Sequence, residues 1–358
     1  MPRFRPDLGN IPAYRPGRSI GEVMRTYGLE SVAKLASNEN PDPPWPEVQQ
    51  VIADEIAGIN RYPDNARPHL TEALAEHLGV PGDHIWCGGA SNELTLITAL
   101  STGGPGTSAV HAWPSFGLYM TGPRAAFAES IAVPLTPDHR HDLDAMLAAV
   151  RDDTTAVFVC NPNNPTSTHV TGEALERFVD SVPDHVLVVV DEAYHEYVTA
   201  DDYRTMLPLA AERDNVLVTR TFSKAYSLAG LRVGYGVTSP ENIAELRRIQ
   251  LPFSVTTLAE AAAVEALHHQ ERVAAVRSAN RDGIQYLTEG LEQRGYSVAE
   301  SQTNFVYVDF GERAAEIDEG LLSRGVIVRP VAPPTFLRIN TGTQAEMERF
   351  FEALDAVG

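Results

Sequence analysis

The residues best suited to chemistry in this chain run from Thr221 to Tyr235, T-F-S-K-A-Y-S-L-A-G-L-R-V-G-Y. Lys224 follows the apolar run Val216-Leu217-Val218, which puts it just beyond a strand end, and Arg232 comes eight positions later. Thr221 and Ser223 offer hydroxyl groups and Arg232 a planar cationic fork, and all three could meet on one phosphate. A lysine beside such a phosphate could condense with an aldehyde, which needs its amine unprotonated. A lysine in a surface loop is otherwise a solvated ammonium.

Pyridoxal phosphate carries both a phosphate and an aldehyde, so the remaining polar strand ends are read against it. The run Ala156 to Cys160, apolar on both faces, delivers N-P-N-N-P-T from Asn161, and Val186 to Val190 ends in Asp191-Glu192-Ala193-Tyr194. A carboxylate at the ring nitrogen would keep it protonated and make the ring an electron sink, and Asp191 is the candidate. Tyr194 and Asn164 could hydrogen-bond the phenolic oxygen, and Phe116, in W-P-S-F, could stack on the ring. Gly88-Gly89-Ala90-Ser91-Asn92 leads into a helix, where backbone N–H groups could face an anion. The same glycines also suit a plain strand-to-helix turn. Asn38, in L-A-S-N-E-N-P, could face a site or serve only turn chemistry.

These residues need a scaffold that gathers strand ends. Apolar strands near 85–87, 109–112, 131–134, 156–160, 186–190 and 216–218 alternate with helical segments such as 70–78, 94–100, 143–150 and 173–179. That alternation predicts right-handed crossovers and a mainly parallel sheet, with Asn164, Asp191, Tyr194 and Lys224 along one edge. Beyond Pro252 the spacing predicts nearly continuous helix from Thr257 to about Arg294, interrupted mainly at Gly283. Strands near 304–308, 326–329 and 336–339 and a helix at 345–354 complete an α+β unit. The expected organisation is an arm over 1–30, a large α/β domain over 31–250 and a smaller α+β domain over 251–358.

Length supports this division, because single cores stop growing at roughly 250 to 300 residues. Twenty-eight basic and forty-eight acidic side chains give a net charge of −20, which disfavours nucleic acid and anionic membrane surfaces. Any phosphate must be held by local donors against that field. Two cysteines, Cys87 and Cys160, are too few for a disulfide framework or a metal cluster and point to a reducing compartment. No window approaches the ~18 apolar residues of a membrane span, and a cytoplasmic location is expected.

In order and spacing, N-P-N-N-P-T, D-E-A-Y and T-F-S-K-A-Y-S-L-A-G-L-R-V-G-Y resemble the fold-type I pyridoxal-phosphate aminotransferases, and within them the histidinol-phosphate aminotransferase group. The resemblance runs from L-A-S-N-E-N-P to F-L-R-I-N-T-G-T, nearly the whole chain. It implies a seven-stranded-type sheet, with Lys224 bound to the cofactor aldehyde, Asp191 on the ring nitrogen, and Tyr194 and Asn164 on the phenolic oxygen. Thr221, Ser223, Arg232 and the backbone around Ala90, Ser91 and Asn92 are implied on the phosphate. Tyr62, in N-R-Y-P-D-N, matches a tyrosine that reaches the neighbouring subunit's cofactor, so a homodimer is implied. Arg338 matches an arginine that grips the substrate carboxylate, a role suited to a bidentate guanidinium.

Substrate choice divides the motifs. Ser167 after Pro165-Thr166, where the family usually has glycine, and Phe116 in W-P-S-F resemble the branch that transfers amino groups between aromatic amino acids, phenylalanine above all, and 2-oxoglutarate by ping-pong kinetics. A serine is also tolerated in place of glycine if its φ stays negative. Arg329 and Tyr14 match positions that hold the substrate phosphate in histidinol-phosphate enzymes. The aromatic substrate is the leading expectation and histidinol phosphate the alternative. A non-catalytic cofactor-binding regulatory module would need a DNA-binding extension, and the acidic balance opposes one.

Overall fold

The computed structural model describes residues 3–13 and 16–358. Seven strands form the central sheet: β1 (Ile85–Gly88), β2 (Ser108–Trp113), β3 (Glu129–Pro134), β4 (Thr154–Cys160), β5 (Leu187–Asp191), β6 (Val216–Thr221) and β7 (Gly234–Val237). Their order is β1-β7-β6-β5-β4-β2-β3, and only β7 runs antiparallel to its neighbours. β7 has the sequence G-Y-G-V, too short and too glycine-rich to register as a strand by pattern.

Side chains alternate through this sheet into two cores. Val157, Val159, Val188, Val190, Val216 and Val218 pack on one face, and Ala156, Phe158, Val189 and Leu217 on the other. A period of two with both alternating sets apolar is what a parallel sheet covered by helices requires. On the first face lie α1 (Pro68–Leu78), through Leu70 and Leu74, and on the second α2 (Ser91–Thr102), through Leu94 and Ile97.

The helical stretch after Pro252 is two helices, α3 (Thr257–Leu267) and α4 (Gln270–Glu292). The expected interruption at Gly283 is thus corrected: α4 runs through Gly283, and the break falls at His268–His269, where His269 has φ −112 and ψ 54. Gly283 serves close packing, since a Cβ there would come 3.1 Å from Cγ2 of Thr341.

The C-terminal part adds β8 (Ser297–Val298), β9 (Phe305–Asp309), α5 (Ala314–Ser323), β10 (Arg329–Pro330), β11 (Phe336–Asn340) and α6 (Gln344–Val357). The strands form an antiparallel sheet in the order β10-β11-β9-β8. Val306, Val308, Leu337 and Ile339 pack against α4, α5 and α6 through Leu287, Leu291, Ile317, Leu321, Phe350 and Leu354. A capping box at Thr343 and Glu346 starts α6. A separate pairing of Ala33–Lys34 with Val326–Ile327 ties the N-terminal segment to this region. Among the described residues no helix is long and apolar enough to cross a membrane.

Candidate active site

The site lies where β4, β5 and β6 end. Asp191, the last residue of β5, is buried, and its Oδ2 accepts from the Tyr119 hydroxyl at 2.6 Å while Oδ1 accepts from the Ala193 N–H at 3.1 Å. Both donors are neutral, and burial pushes the carboxyl above its ordinary range. A buried carboxylate served only by neutral donors suits a further cationic N–H. Alternation along D-E-A-Y turns Glu192 away from Asp191, into a buried pair with Arg220 at 2.8 Å.

Three residues past β6, the Lys224 ammonium nitrogen lies 5.9 Å from the centroid of the Tyr194 ring. Burial, then the cations Arg338 and Arg232, lower its pKa to about 8 against the opposing carboxylates of Glu39 and Asp191. The amine is thereby brought toward the neutral form that attacks an aldehyde. Tyr194 accepts from Asn38 Nδ2 at 2.6 Å and meets Phe305 edge-on at 5.3 Å. Asn38 is thus brought against Tyr194, and it holds a left-handed backbone with φ 55.

A polar cluster surrounds the start of the loop after β6. Thr221 donates to Ser223 Oγ at 2.9 Å and accepts from the Ser223 N–H at 3.1 Å, and Arg232 Nη1 reaches Ser223 Oγ at 3.3 Å. Ala90, with φ 75, precedes α2, and no side chain caps the N–H groups of its first turn. Gly234 lets this turn approach β7, because a Cβ there would lie 2.8 Å from the Ser91 nitrogen. Hydroxyls, a guanidinium and uncapped helix N–H groups together form a donor set that fits a phosphate. The residues present fit pyridoxal 5′-phosphate: an anion cradle, a lysine made more nucleophilic and a buried carboxylate with neutral partners. Among the described residues no cluster of His, Cys, Asp and Glu could hold a metal ion.

Arg338, on β11, donates from Nη1 to Asn164 Oδ1 at 2.6 Å and from Nη2 to the Ala36 carbonyl at 2.7 Å, with its guanidinium 5.1 Å from the Phe305 ring centroid. Asn164 thus joins the loop after β4 to β11. Arg329 is paired with Arg338 in register, and Tyr307 pairs with Arg338 from the other side. Directly paired residues of an antiparallel ladder share a face.

Other expectations fall differently. Phe116 lies edge-on to Tyr119 at 5.5 Å, beside Asp191's partner. Tyr62 stays outside the cluster, 82% exposed and stacked on Phe253 at 4.7 Å. Tyr14 lies outside the described residues. The condition on Ser167 is overturned, for its φ is 64, and its hydroxyl donates to the Glu300 carbonyl at 2.9 Å. It acts as a stitch between the N-P-N-N-P loop and the strand region after β8. Tyr119 is the site residue that sequence reasoning missed, and its only signal was its place three residues after Phe116.

Residues 30–354 match the model of the class I and II aminotransferases. The chain belongs to that family. This aminotransferase is 44% identical over 355 residues to a histidinol-phosphate aminotransferase of Geobacillus thermodenitrificans, covering 98% of this chain and 97% of the relative. It is also 44% identical over 354 residues to an aromatic amino acid aminotransferase of Nocardia farcinica, covering 97% and 95%. The histidinol-phosphate aminotransferase of Sinorhizobium meliloti, solved in complex with pyridoxal-5′-phosphate, superposes with a TM-score of 0.92 at 30% identity, covering 100% of this chain and 98% of that one. The fold is therefore that of the fold-type I aminotransferases.

Proposed function

We propose that this aminotransferase moves the amino group of histidinol phosphate to 2-oxoglutarate by ping-pong kinetics, using pyridoxal 5′-phosphate. The reading rests on the direct pairing of Arg329 with Arg338 on one sheet face. Two guanidinium groups suit a phosphate dianion, and the same pair suits the two carboxylates of glutamate or 2-oxoglutarate. Phenylalanine, whose side chain is uncharged, would use only one of them, for its α-carboxylate. Seven of eight similar proteins compared are named histidinol-phosphate aminotransferases, which supports this substrate over the aromatic one.

When bound, the cofactor supplies an aldehyde that receives the amino group and a ring that draws electrons from the bonds at the substrate Cα. Thr221, Ser223, Arg232 and the N–H groups around Ala90, Ser91 and Asn92 would hold its phosphate. Asp191, fixed by Tyr119, would pair with the ring nitrogen and keep it protonated, Tyr194 and Asn164 would serve the phenolic oxygen, and Phe116 would stack on the ring. Lys224 Nζ takes the proton from the substrate Cα, as a base whose pKa near 8 leaves it partly neutral at working pH. Arg338 orients the anionic end of the substrate so that the Cα–H bond stands toward that amine.

The working unit is a homodimer in which Tyr62 reaches the phosphate of the neighbouring copy. Ile56, Ile59, Tyr62 and Leu251 are exposed apolar side chains that such an assembly would cover. The two free, buried cysteines suit a reducing cytoplasmic location. A second reading, an aromatic substrate, is favoured by Phe116 and by the Nocardia relative of equal identity.

The test compares kcat/KM for histidinol phosphate and for phenylalanine, each with 2-oxoglutarate. Histidinol phosphate should lead by at least about tenfold, and Arg329→Ala should erase most of that lead. A lead for phenylalanine in the unaltered protein establishes the second reading instead.

A further inference from the structure

Arg67 holds a backbone conformation that glycine adopts freely and arginine does not, with φ 51, at the start of α1. It is 2% exposed, and its Nε has no hydrogen-bond partner among the described residues. Its Nη2 donates to Ser254 Oγ at 3.2 Å. Gln250 donates from Nε2 to the same oxygen at 3.4 Å and to the Cys87 carbonyl at 2.8 Å, while its Oε1 accepts from Trp86 Nε1 at 2.9 Å.

These bonds end at the glycine turn that leads into α2. A Cβ on Gly88 would lie 2.9 Å from Glu93 Oε2 and 3.2 Å from Gln250 Nε2, and one on Gly89 would lie 3.4 Å from the Ser254 carbonyl. The turn is held between Glu93, which accepts from the Gly89 N–H, and the Gln250–Ser254 pair. Glu93 also places negative charge in the first turn of α2, where a phosphate would be repelled. The buried guanidinium of Arg67 is attracted electrostatically to that carboxylate and to Glu260.

Arg67 also closes the loop that carries Tyr62. Asn65 Oδ1 accepts from the Phe253 N–H at 2.9 Å, and the Phe253 ring stacks on Tyr62. One set of contacts thus joins the Tyr62 loop, the 250–254 segment and the Cys87–Ala90 turn.

We propose that Arg67, acting through Ser254 and Gln250, is a positioning residue that shapes the Cys87–Ala90 turn for the cofactor phosphate. The inference rests on the assignment of that turn to the phosphate. It touches no reacting atom, so its effect is on phosphate capture and not on the chemistry at Cα. A buried guanidinium bonded to Ser254 Oγ and presenting a planar, pre-organised fork holds a turn more firmly than the flexible ammonium of lysine would.

The experiment strips the full-length protein of cofactor and titrates it with pyridoxal 5′-phosphate and, separately, with pyridoxal, which lacks the phosphate. Arg67→Ala should bind pyridoxal 5′-phosphate about tenfold or more weakly and pyridoxal as the unaltered protein does, with Arg67→Lys in between. Gln250→Ala repeats the measurement on a second link, should the Arg67 variants fail to fold, and is expected to lose the phosphate preference in the same way. Equal weakening toward both ligands, or no weakening in Arg67→Ala or Gln250→Ala, would overturn the proposal while leaving the phosphate site standing. Unaltered protein that binds both ligands equally would overturn the phosphate site and this inference together.

Discussion

In the seven-stranded sheet the polar groups of the site stand at strand ends, Asp191 closing β5 and Thr221 closing β6, with Asn164 and Lys224 in the loops beyond. In the four-stranded sheet Arg329 and Arg338 lie opposite each other within paired strands, and Arg338 reaches Asn164 from there. The contrast follows from how each sheet is covered. A parallel sheet buried on both faces is mostly apolar within, and its strand ends are where loops can most readily supply hydrogen bonds to polar groups. An antiparallel sheet packed on one face leaves the other free to carry charge along its strands. Under the function proposed above, the edge does the proton chemistry and the face reads the substrate.

The largest effect should come from the edge. Lys224→Ala is expected to lower kcat by about 10⁴-fold or more, with an unchanged circular dichroism spectrum. Retained turnover would remove the edge from the chemistry altogether. On the face, Arg338→Ala should raise KM for glutamate by about a hundredfold while cofactor affinity changes little, measured by steady-state kinetics and cofactor titration. Matching losses of both would erase the division between edge and face, and the Arg338–Asn164 bond is where such mixing would arise.

A pH titration sharpens the account of the edge. A lysine with its pKa at about 8 is mostly protonated below that pH and mostly neutral above it. Cofactor capture by stripped protein should accordingly slow about tenfold per pH unit below 8 and level off above it. A rate that kept climbing to pH 10 would show that burial does not tune this amine. The smallest change is expected from Ser167→Gly, which relieves a left-handed serine but removes the bond to the Glu300 carbonyl. Stability by thermal unfolding should move by no more than about 1 kcal/mol, and the substrate ratio should not move. A changed ratio would return Ser167 to the substrate-selecting residues.

The motifs at strand ends were readable because each polar residue sits directly after the apolar run that positions it. Asp191 follows Val188-Val189-Val190, and Lys224 follows β6 by three residues, so pattern and chemistry share one short window. β7 escaped that reading because G-Y-G-V owes its place to pairing on both sides and not to its own composition. The break at His268–His269 was likewise invisible to helical spacing, which continues across it, while Gly283 drew attention for its propensity and proved to be a packing position.

What the sequence by itself determined is the set of candidate groups and the alternating scaffold, since residue type and a period of two or 3.6 are local properties. Which groups touch was decided only by the tertiary structure. Tyr119 meets Asp191 across 72 positions, Arg338 meets Asn164 across 174, and Arg329 faces Arg338 through strand register. A hydrogen bond depends on distances of a few ångströms between segments that the chain brings together only when the two sheets and their helices have packed.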